Sequence, residues 1–535
     1  MAKGKSKRNF FLVFVMTMLI IYLVRIILVH IIGSRGIAFF APANEIYFFI
    51  AFSVAYGIEN GVAYLVDSRN QRQMFSNAKA VFRAGIILAL GLGIVLAAVL
   101  FAVNGFLSTT CFNIPRANVS LYVILPAILF TFITAAFRGY FNGSGLRNIT
   151  NISYFVFAGS YLVFSLVFSV IFLGTGGNVA DLLRLEDYKY AYGAIGATVG
   201  VSAAALVTLL HAVVIYILYS RRTVFNEDRD YSRSYESPQS LILSIIKNGL
   251  FEFATVGAFF FIELINSIGL LFGSSTDDLI FVSFGEFYGK VFPIIILTIL
   301  VLGFTTFPYV KKSVSALNRE EYRNSRERLD RMIHRCSTLG FFISGMMIVL
   351  GGDILNIVFK TNLEFTFNAM MIEGVCVVFG IFALIMTKLL CMLRYSGLAG
   401  VICAVAAIID AVLCSVFGKI FGTTGVMLCN LIFLAIIALI SFGFVTKAFQ
   451  YTQEWYRSFL ISIIGSLAAS IVGLLINKAI LNIGNHLIAF IVSLVFSILI
   501  YMVVLLILRG YYSDELQESF WGRIMLIVGR IAGLL

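Results

Sequence analysis

Apolar runs broken by short polar links recur along the whole chain. Each is compared with a hydrocarbon core of ~30 Å, which takes roughly 20 helical residues to cross. Runs lie near 10–32, 46–65, 81–103, 120–140, 152–173 and 191–219; after a polar link they resume near 241–271, 280–309, 335–350, 367–393, 397–418, 424–446, 456–477 and 484–508. The pattern predicts an all-α polytopic membrane protein with about 14 transmembrane helices. The run at 335–350 is short unless Asp353 marks its outer end. Lys3, Lys5, Lys7 and Arg8 before Phe10 resemble the start of a signal peptide, but the apolar stretch continues past Arg25 to Ile32 without a small-x-small cleavage site, so it reads as an uncleaved first span. After Arg509 the pattern changes: Leu516, Phe520, Ile524, Ile527 and Ile531 recur at helical spacing among charged residues, predicting an amphipathic helix in the interface plane, with an unstructured tail as the alternative.

The runs also repeat. The fourth ends in Arg138-Gly-Tyr-Phe-Asn-Gly-Ser-Gly-Leu146 and the tenth in Leu393-Arg-Tyr-Ser-Gly-Leu-Ala-Gly400; each is followed by an apolar span and then a Gly-containing start to the next, Tyr192-Gly-Ala-Ile-Gly196 and Phe421-Gly-Thr-Thr-Gly425. Gly57 to Arg138 is 81 residues and Gly303 to Arg394 is 91. Spans 1–6 and 7–12 therefore read as pseudo-symmetric six-helix lobes of the same orientation, related by an axis along the membrane normal, with a cleft between them. This divides the chain into 1–240, an N-lobe with its polar link, 241–450, a C-lobe, and 451–535, two extra spans and the amphipathic helix. The alternative is that polytopic segments align weakly through apolar composition alone.

Composition agrees: 60% of the 535 residues are hydrophobic and 12% charged, with mean hydropathy +0.98, whereas soluble domains carry about 25% charged residues. The net charge of +12 does not indicate nucleic acid, because the cations sit in links between spans. Placing the N-terminus in the cytoplasm puts 28 Lys and Arg in inner segments, seven in outer loops and four within spans, a positive-inside bias that sets both termini in the cytoplasm of a cell-membrane protein. Seven cysteines form no CxxC pair and read as small apolar packing residues.

Ionisable groups inside spans are costly and face protein or water. In the seventh span Asn248, Glu252, Glu263 and Asn266 fall within about a 60° arc of one helix face, which predicts a wet cavity along it. Glu286 and Lys290 form an i,i+4 pair on the eighth span; Lys290 could meet a phosphate, or the pair compensates itself near the outer interface. Arg25, midway along the first span, could bind a phosphate or pyrophosphate bidentately, or could pair with Glu59 or another carboxylate. Glu59, Lys388 and Asp410 could equally be packed structural groups. No phosphate-cradling loop, HExxH or GxSxG occurs and no outer loop is long enough for a catalytic domain, so no enzyme, metal or cofactor is expected; net pumping would draw on an ion gradient, the membrane potential or the substrate gradient.

Gly285-Glu-Phe-Tyr-Gly-Lys-Val-Phe-Pro293, continuing through Phe307-Pro308 to the basic link ending at Arg335, resembles the eighth-span region of the stage V sporulation protein B-like polysaccharide transporters. Arg138-Gly-Tyr-Phe-Asn-Gly143 resembles the Arg-Gly-Tyr-Phe-Gln-Gly element of that group and of the lipid II flippases, and Gly57-Ile-Glu-Asn-Gly-Val-Ala-Tyr64 to Phe82-Arg83 is also similar. These groups belong to the multidrug/oligosaccharidyl-lipid/polysaccharide (MOP) exporter superfamily, which also holds the Wzx-like flippases. The resemblance implies two lobes, a central cavity for a charged head group and a side portal for a polyprenyl tail, with Arg25 and Lys290 in places like the cavity cations of lipid II flippases. Those flippases also carry a second-span arginine; Glu59 is offered here instead, so an O-antigen, capsule or teichoic-type unit is expected over lipid II.

The expected function is a flippase moving a polyprenyl-(pyro)phosphate-linked oligosaccharide by alternating access for cell-surface polysaccharide biosynthesis. Arg25, Lys290, Asn248, Glu252, Glu263 and Asn266 would bind substrate, and Glu59, Glu252 and Glu263 would couple H⁺ or Na⁺. The bilayer and glycan-assembly proteins are the expected surroundings. Two alternatives remain: an ion-coupled multidrug or organic-cation antiporter, and a membrane-embedded glycan polymerase.

Overall fold

The computed structural model describes residues 2–222, 230–232, 236–271, 278–360, 364–481, 486–511 and 520–531. Every regular element among them is helical. Thirteen helices are long and apolar enough to cross a membrane. The first, Val13–Gln71, runs for 59 residues, about twice what one crossing needs, and it breaks at Gly33, where φ is 68° and ψ 174°. A left-handed φ suits a residue without Cβ. The break makes two passages of one continuous run, and all fourteen predicted spans fall in helices. The predicted link 33–45 is a correction: the chain from Ser34 is already helical, so the second span begins about three turns earlier than hydropathy alone suggests.

Contacts divide the chain into two compact units, Met1–Gly289 with Ser396–Val426, and Lys290–Tyr395 with Met427–Leu535. The first holds α1 (Ala2–Ile50), a π-helical turn (Ala51–Ala55), α2 (Tyr56–Gln71), α3 (Phe75–Phe106), the short α4 (Asn118–Val123), α5 (Leu125–Gly143), α6 (Arg147–Leu183), α7 (Asp187–Arg222), α8 (Pro238–Leu271), α9 (Asp278–Glu286) and the first part of α13 (Ser396–Ala448). Lipid tails are as apolar as side chains, so helices associate through close packing of small residues. A Cβ on Gly139 would fall 2.6 Å from the Glu59 carbonyl oxygen, and one on Gly143 2.6 Å from that of Ala63, which draws α5 onto α2. The α2 and α8 backbones touch in the same way: a Cβ on Gly249 would fall 2.1 Å from the Gly57 carbonyl oxygen, and one on Gly61 2.2 Å from that of Ile245. The outer face of α3 leaves Ile87, Leu90, Ile94, Val95 and Val99 exposed, as a lipid-facing helix requires.

The link after α7 is fastened to the start of α3. Asp230 accepts the backbone N–H groups of Phe75 and Ser76, both at 3.0 Å, and so caps a helix from a segment some 150 residues away. Burial tends to raise the Asp230 carboxyl, but hydrogen bonds from Ser76 and Ser232 outweigh it and hold the group down at about 2.

The second unit holds α10 (Phe292–Leu317), α11 (Tyr322–Phe359), α12 (Glu364–Met392), the rest of α13, α14 (Ile461–Leu481), α15 (His486–Ile507) and α16 (Phe520–Ile531). The short apolar run at 335–350 is the middle of the 38-residue α11. Asp353, expected at its end, is buried and accepts from Asn477 on α14 at 2.5 Å while pairing with His486 on α15 at 3.2 Å. The two extra spans are thereby tied to α11. The amphipathic helix forms over Phe520–Ile531, and Met525 is buried against a cluster that includes Ile461, Tyr501 and Leu505; Leu516 lies outside the described residues. All seven cysteines are free thiols and five are buried.

Candidate functional site

Tyr22 and Arg25 are three residues apart on α1 and share a face. Glu263, Asn266 and Ser267 do the same on α8. Where the faces meet, Arg25 Nη2 donates to Glu263 Oε2 at 3.1 Å, and Tyr22 donates to the other carboxylate oxygen. The guanidinium lies between aromatic rings, 4.3 Å from the Tyr288 centroid and 4.7 Å from that of Tyr22. Tyr288 accepts from Asn44 at 2.9 Å. Ser267 donates to Glu45 at 2.5 Å. Arg25 is wholly buried, yet its Nε and Nη1 have no hydrogen-bond partner among the described residues, and neither have Glu45 Oε2 and Asn266 Oδ1. Buried polar atoms in native proteins are rarely left so, and these four atoms on three side chains of one cluster fit a place that takes up water or a polar ligand.

The cluster is closed along the chain in both directions. On one side Ser34 donates to Glu286 at 2.5 Å, and a Cβ on Gly285 would fall 1.9 Å from the Ser34 carbonyl oxygen. On the other, Ser53 abuts Gly257, and the Gly57–Gly249 backbone contact follows.

Glu59 belongs elsewhere. In an ideal α-helix Glu45 and Glu59 would lie within about 40° of each other, but the π-helical turn between them shifts the phase. Glu45 therefore meets α8, whereas Glu59 meets α6 and accepts from Tyr154 at 2.7 Å. The Arg138 guanidinium stacks 3.9 Å from the Tyr154 centroid and donates from Nε to Ser153 Oγ at 2.9 Å. Glu59, Arg138, Tyr154, Thr131, Thr134 and Thr208 line a narrow cleft of about 20 Å³, and Glu59 Oε1 has no partner among the described residues.

Asn248 and Glu252 lie in a third place, a groove of about 520 Å³ shared with Lys247, Asp67, Asn142 and Arg147. Lys290 opens the second unit, buried, with Nζ 5.6 Å from the Phe359 centroid. The stripe on α8 thus does hold polar groups on one face, but that face is not one site: 18 residues of helix rise ~27 Å, and the stripe serves a groove at one end and a buried cluster at the other. Arg25 has a carboxylate partner, and it is Glu263 rather than Glu59.

Several residues of these sites escaped the sequence reading. Glu45 lies between two apolar runs, where the pattern predicts a link, and Arg138 stands out in the sequence only through the repeat and the family-like element it opens; the i,i+3 spacing of Tyr22 and Arg25 is the available signal. Two further buried carboxylates stand apart: Glu373 accepts from Asn430 through both oxygens, at 3.1 and 2.8 Å, and Asp410 has no partner for either oxygen among the described residues. No group of three or more His, Cys, Asp or Glu side chains among the described residues is gathered to hold a metal.

No protein-family model matches the chain, and no curated protein does. Solved structures do. A multidrug resistance MATE family transporter of the MOP superfamily in an inward-facing conformation superposes with a TM-score of 0.64 at 15% identity, over 81% of this chain and 94% of that one. The lipid II flippase MurJ, in an inward closed conformation, matches with a TM-score of 0.57 at 14% identity over 91% and 98%. A eukaryotic MATE transporter matches with a TM-score of 0.56 at 12% identity over 86% and 98%. The chain has the fold of the MOP superfamily transporters.

Proposed function

We propose that the chain is a MOP superfamily transporter of the cytoplasmic membrane. Its cargo would be a polyprenyl-(pyro)phosphate-linked oligosaccharide for cell-surface polysaccharide, moved by alternating access. The observation that carries this reading is Arg25: a guanidinium sealed between α1 and α8, with two nitrogens unsatisfied, is a group that a phosphate would complete. A phosphate bearing sugars cannot cross hydrocarbon unaided, and carboxylates and amides beside the arginine suit sugar hydroxyls. The end of the first unit that carries the basic 66–83 and 138–151 links is taken as cytoplasmic. Glu59, Glu252 and Glu263 are the proposed couplers of H⁺ or Na⁺, with the membrane potential as a further source of drive; glycan-assembly proteins are the proposed partners.

A second reading is an ion-coupled organic-cation antiporter. It is favoured by the excess of carboxylate around Arg25, where Glu263 pairs with the guanidinium and Glu45 is held by Ser267 in the same cluster, and by the multidrug transporters sharing the fold. Depletion separates the two. A flippase leaves a lipid-linked saccharide on the cytoplasmic leaflet, and Arg25→Ala and Lys290→Ala lower glycan export while membrane-inserted protein remains. An antiporter leaves glycan intact and raises intracellular drug; normal export in both variants removes the site assignments.

A further inference from the structure

The groove beside the α2–α8 contact includes Asn248 and Glu252 and draws its other walls from several helices. Asp67 comes from α2, Asn142 from the end of α5, Arg147 from the start of α6, and Lys247 from α8. At about 520 Å³ it is open and large enough for a small glycan head group. It gathers two cations and two carboxylates, and no ion pair joins these four groups among the described residues. Asp67 accepts from Gln71, its own helix neighbour, at 2.8 Å. Phe251, 42% exposed, and Tyr64, 62% exposed, present rings at its edge.

We propose that this groove is a recognition site for the head group of a diphosphate-linked saccharide at the mouth of the transport path. Lys247 and Arg147 take the diphosphate. Asp67, Glu252, Asn142 and Asn248 meet sugar hydroxyls, and the exposed rings meet the apolar faces of the sugars. Unpaired cations are the part of the lining that an anion needs, while carboxylates and amides accept from and donate to hydroxyls. The inference rests on the reading of the chain as a saccharide-lipid transporter.

Position adds a mechanical consequence. The groove flanks the seam where Gly57 and Gly61 of α2 meet Gly249 and Ile245 of α8. A ligand held by Asp67, Asn142 and Arg147 on one side and by Lys247 and Glu252 on the other spans that seam. Its affinity then differs between the closed and parted arrangements, and a ligand shifts a two-state element only through such a difference. Capture is thereby linked to opening.

The test uses the full chain in phosphatidylcholine nanodiscs and a soluble short-chain prenyl diphosphate disaccharide. Competitors are inorganic pyrophosphate, a neutral disaccharide, phosphatidylglycerol added to the nanodisc, and tetraphenylphosphonium. Lys247 is exposed and Arg147 partly so, so Lys247→Gln and Arg147→Gln retain the fold. Each is expected to weaken probe binding about tenfold, as loss of a charge-assisted hydrogen bond does, with Lys247→Arg restoring most of it and pyrophosphate competing. If the wild type binds the probe and the double variant binds it equally, the groove assignment falls and the transport reading stands. If phosphatidylglycerol displaces the probe as well as pyrophosphate does, the groove is a lipid-headgroup site and the proposal is overturned. If the wild type takes tetraphenylphosphonium and no diphosphate, both readings fall together.

Discussion

Arg25 and Glu263 stand 238 positions apart and form one ion pair of 3.1 Å, with side-chain exposures of 0% and 5%. Two helices far apart in sequence are joined at a point closed to bulk solvent in this conformation. Removing one partner leaves the other charge buried and unpaired, which costs about 3–5 kcal/mol. Arg25→Ala and Glu263→Ala should each lower thermal stability in detergent, and the double exchange Arg25→Met with Glu263→Met should recover most of it. Such a double variant should fold and fail to transport. Equal stability of the single and double variants would show that the pair carries no coupling.

The α2–α8 seam makes a separate prediction. A Cβ at Gly249 would sit 2.1 Å from the Gly57 carbonyl oxygen, backbone that cannot step aside without parting the helices. Gly249→Ala should therefore cost about 1–3 kcal/mol, as overpacking does, and should bias the first unit toward an open seam. The readout is labelling of a cysteine placed at Ser53 by a membrane-impermeant thiol reagent. Gly91, with nothing within 4 Å of its Cβ position, is the control: Gly91→Ala should leave labelling unchanged and stabilise the helix by about 0.5–1 kcal/mol.

Acid should loosen the contact between Asp230 and the start of α3. Burial raises the Asp230 carboxyl, but the hydrogen bonds from Ser76 and Ser232 prevail and hold it at about 2, below the ~3.9 of an unfolded aspartate. Because the folded value is depressed, the contribution is complete above about pH 4 and is lost as pH falls toward 2. Limited pepsin digestion of the 220–240 link between pH 4 and pH 2 should accelerate in the wild type, and Asp230→Ala should already be cut quickly at pH 4. A wild-type rate that stays flat, after correction for pepsin's own pH profile, would refute the cap.

Glu59 offers a test of coupling that leaves the Arg25 cluster untouched. Tyr154 donates to one oxygen at 2.7 Å and the other has no partner among the described residues. Glu59→Gln keeps the size but cannot carry a proton or a sodium ion as a carboxylate does. If Glu59 couples the cycle, transport by this variant loses its dependence on pH or Na⁺ while substrate binding persists. Tyr154→Phe should shift that dependence rather than abolish it. Unchanged ion dependence in Glu59→Gln would assign coupling to another carboxylate.

Much of this architecture is legible in the chain. Hydropathy finds every span, because a helix must satisfy its own backbone within lipid and so needs an apolar run of fixed length. The boundary of the second span was less legible: Arg35, Asn44 and Glu45 lower the apolar signal between 33 and 45, yet Asn44 and Glu45 are buried inside the first unit, where hydropathy has no view of their partners. The arc through Asn248, Glu252, Glu263 and Asn266 was correctly one face, but helix periodicity reports direction around the axis and not depth along it, so a groove and a sealed cluster looked like a single lining.

The sequence by itself determined an all-helical membrane chain, its spans, the polar face of α8 and the placing of a lone arginine among apolar residues. It did so because these follow from local free energies: apolar length, helical period and the cost of a charge in hydrocarbon. Only the tertiary structure decided that Arg25 pairs with Glu263, that a π-helical turn sends Glu45 and Glu59 to different neighbours, and that Arg147 and Lys247 share a groove. Those outcomes depend on which helices meet and at what depth and phase, quantities set by close packing at Gly57, Gly61 and Gly249 and not by the character of any one segment.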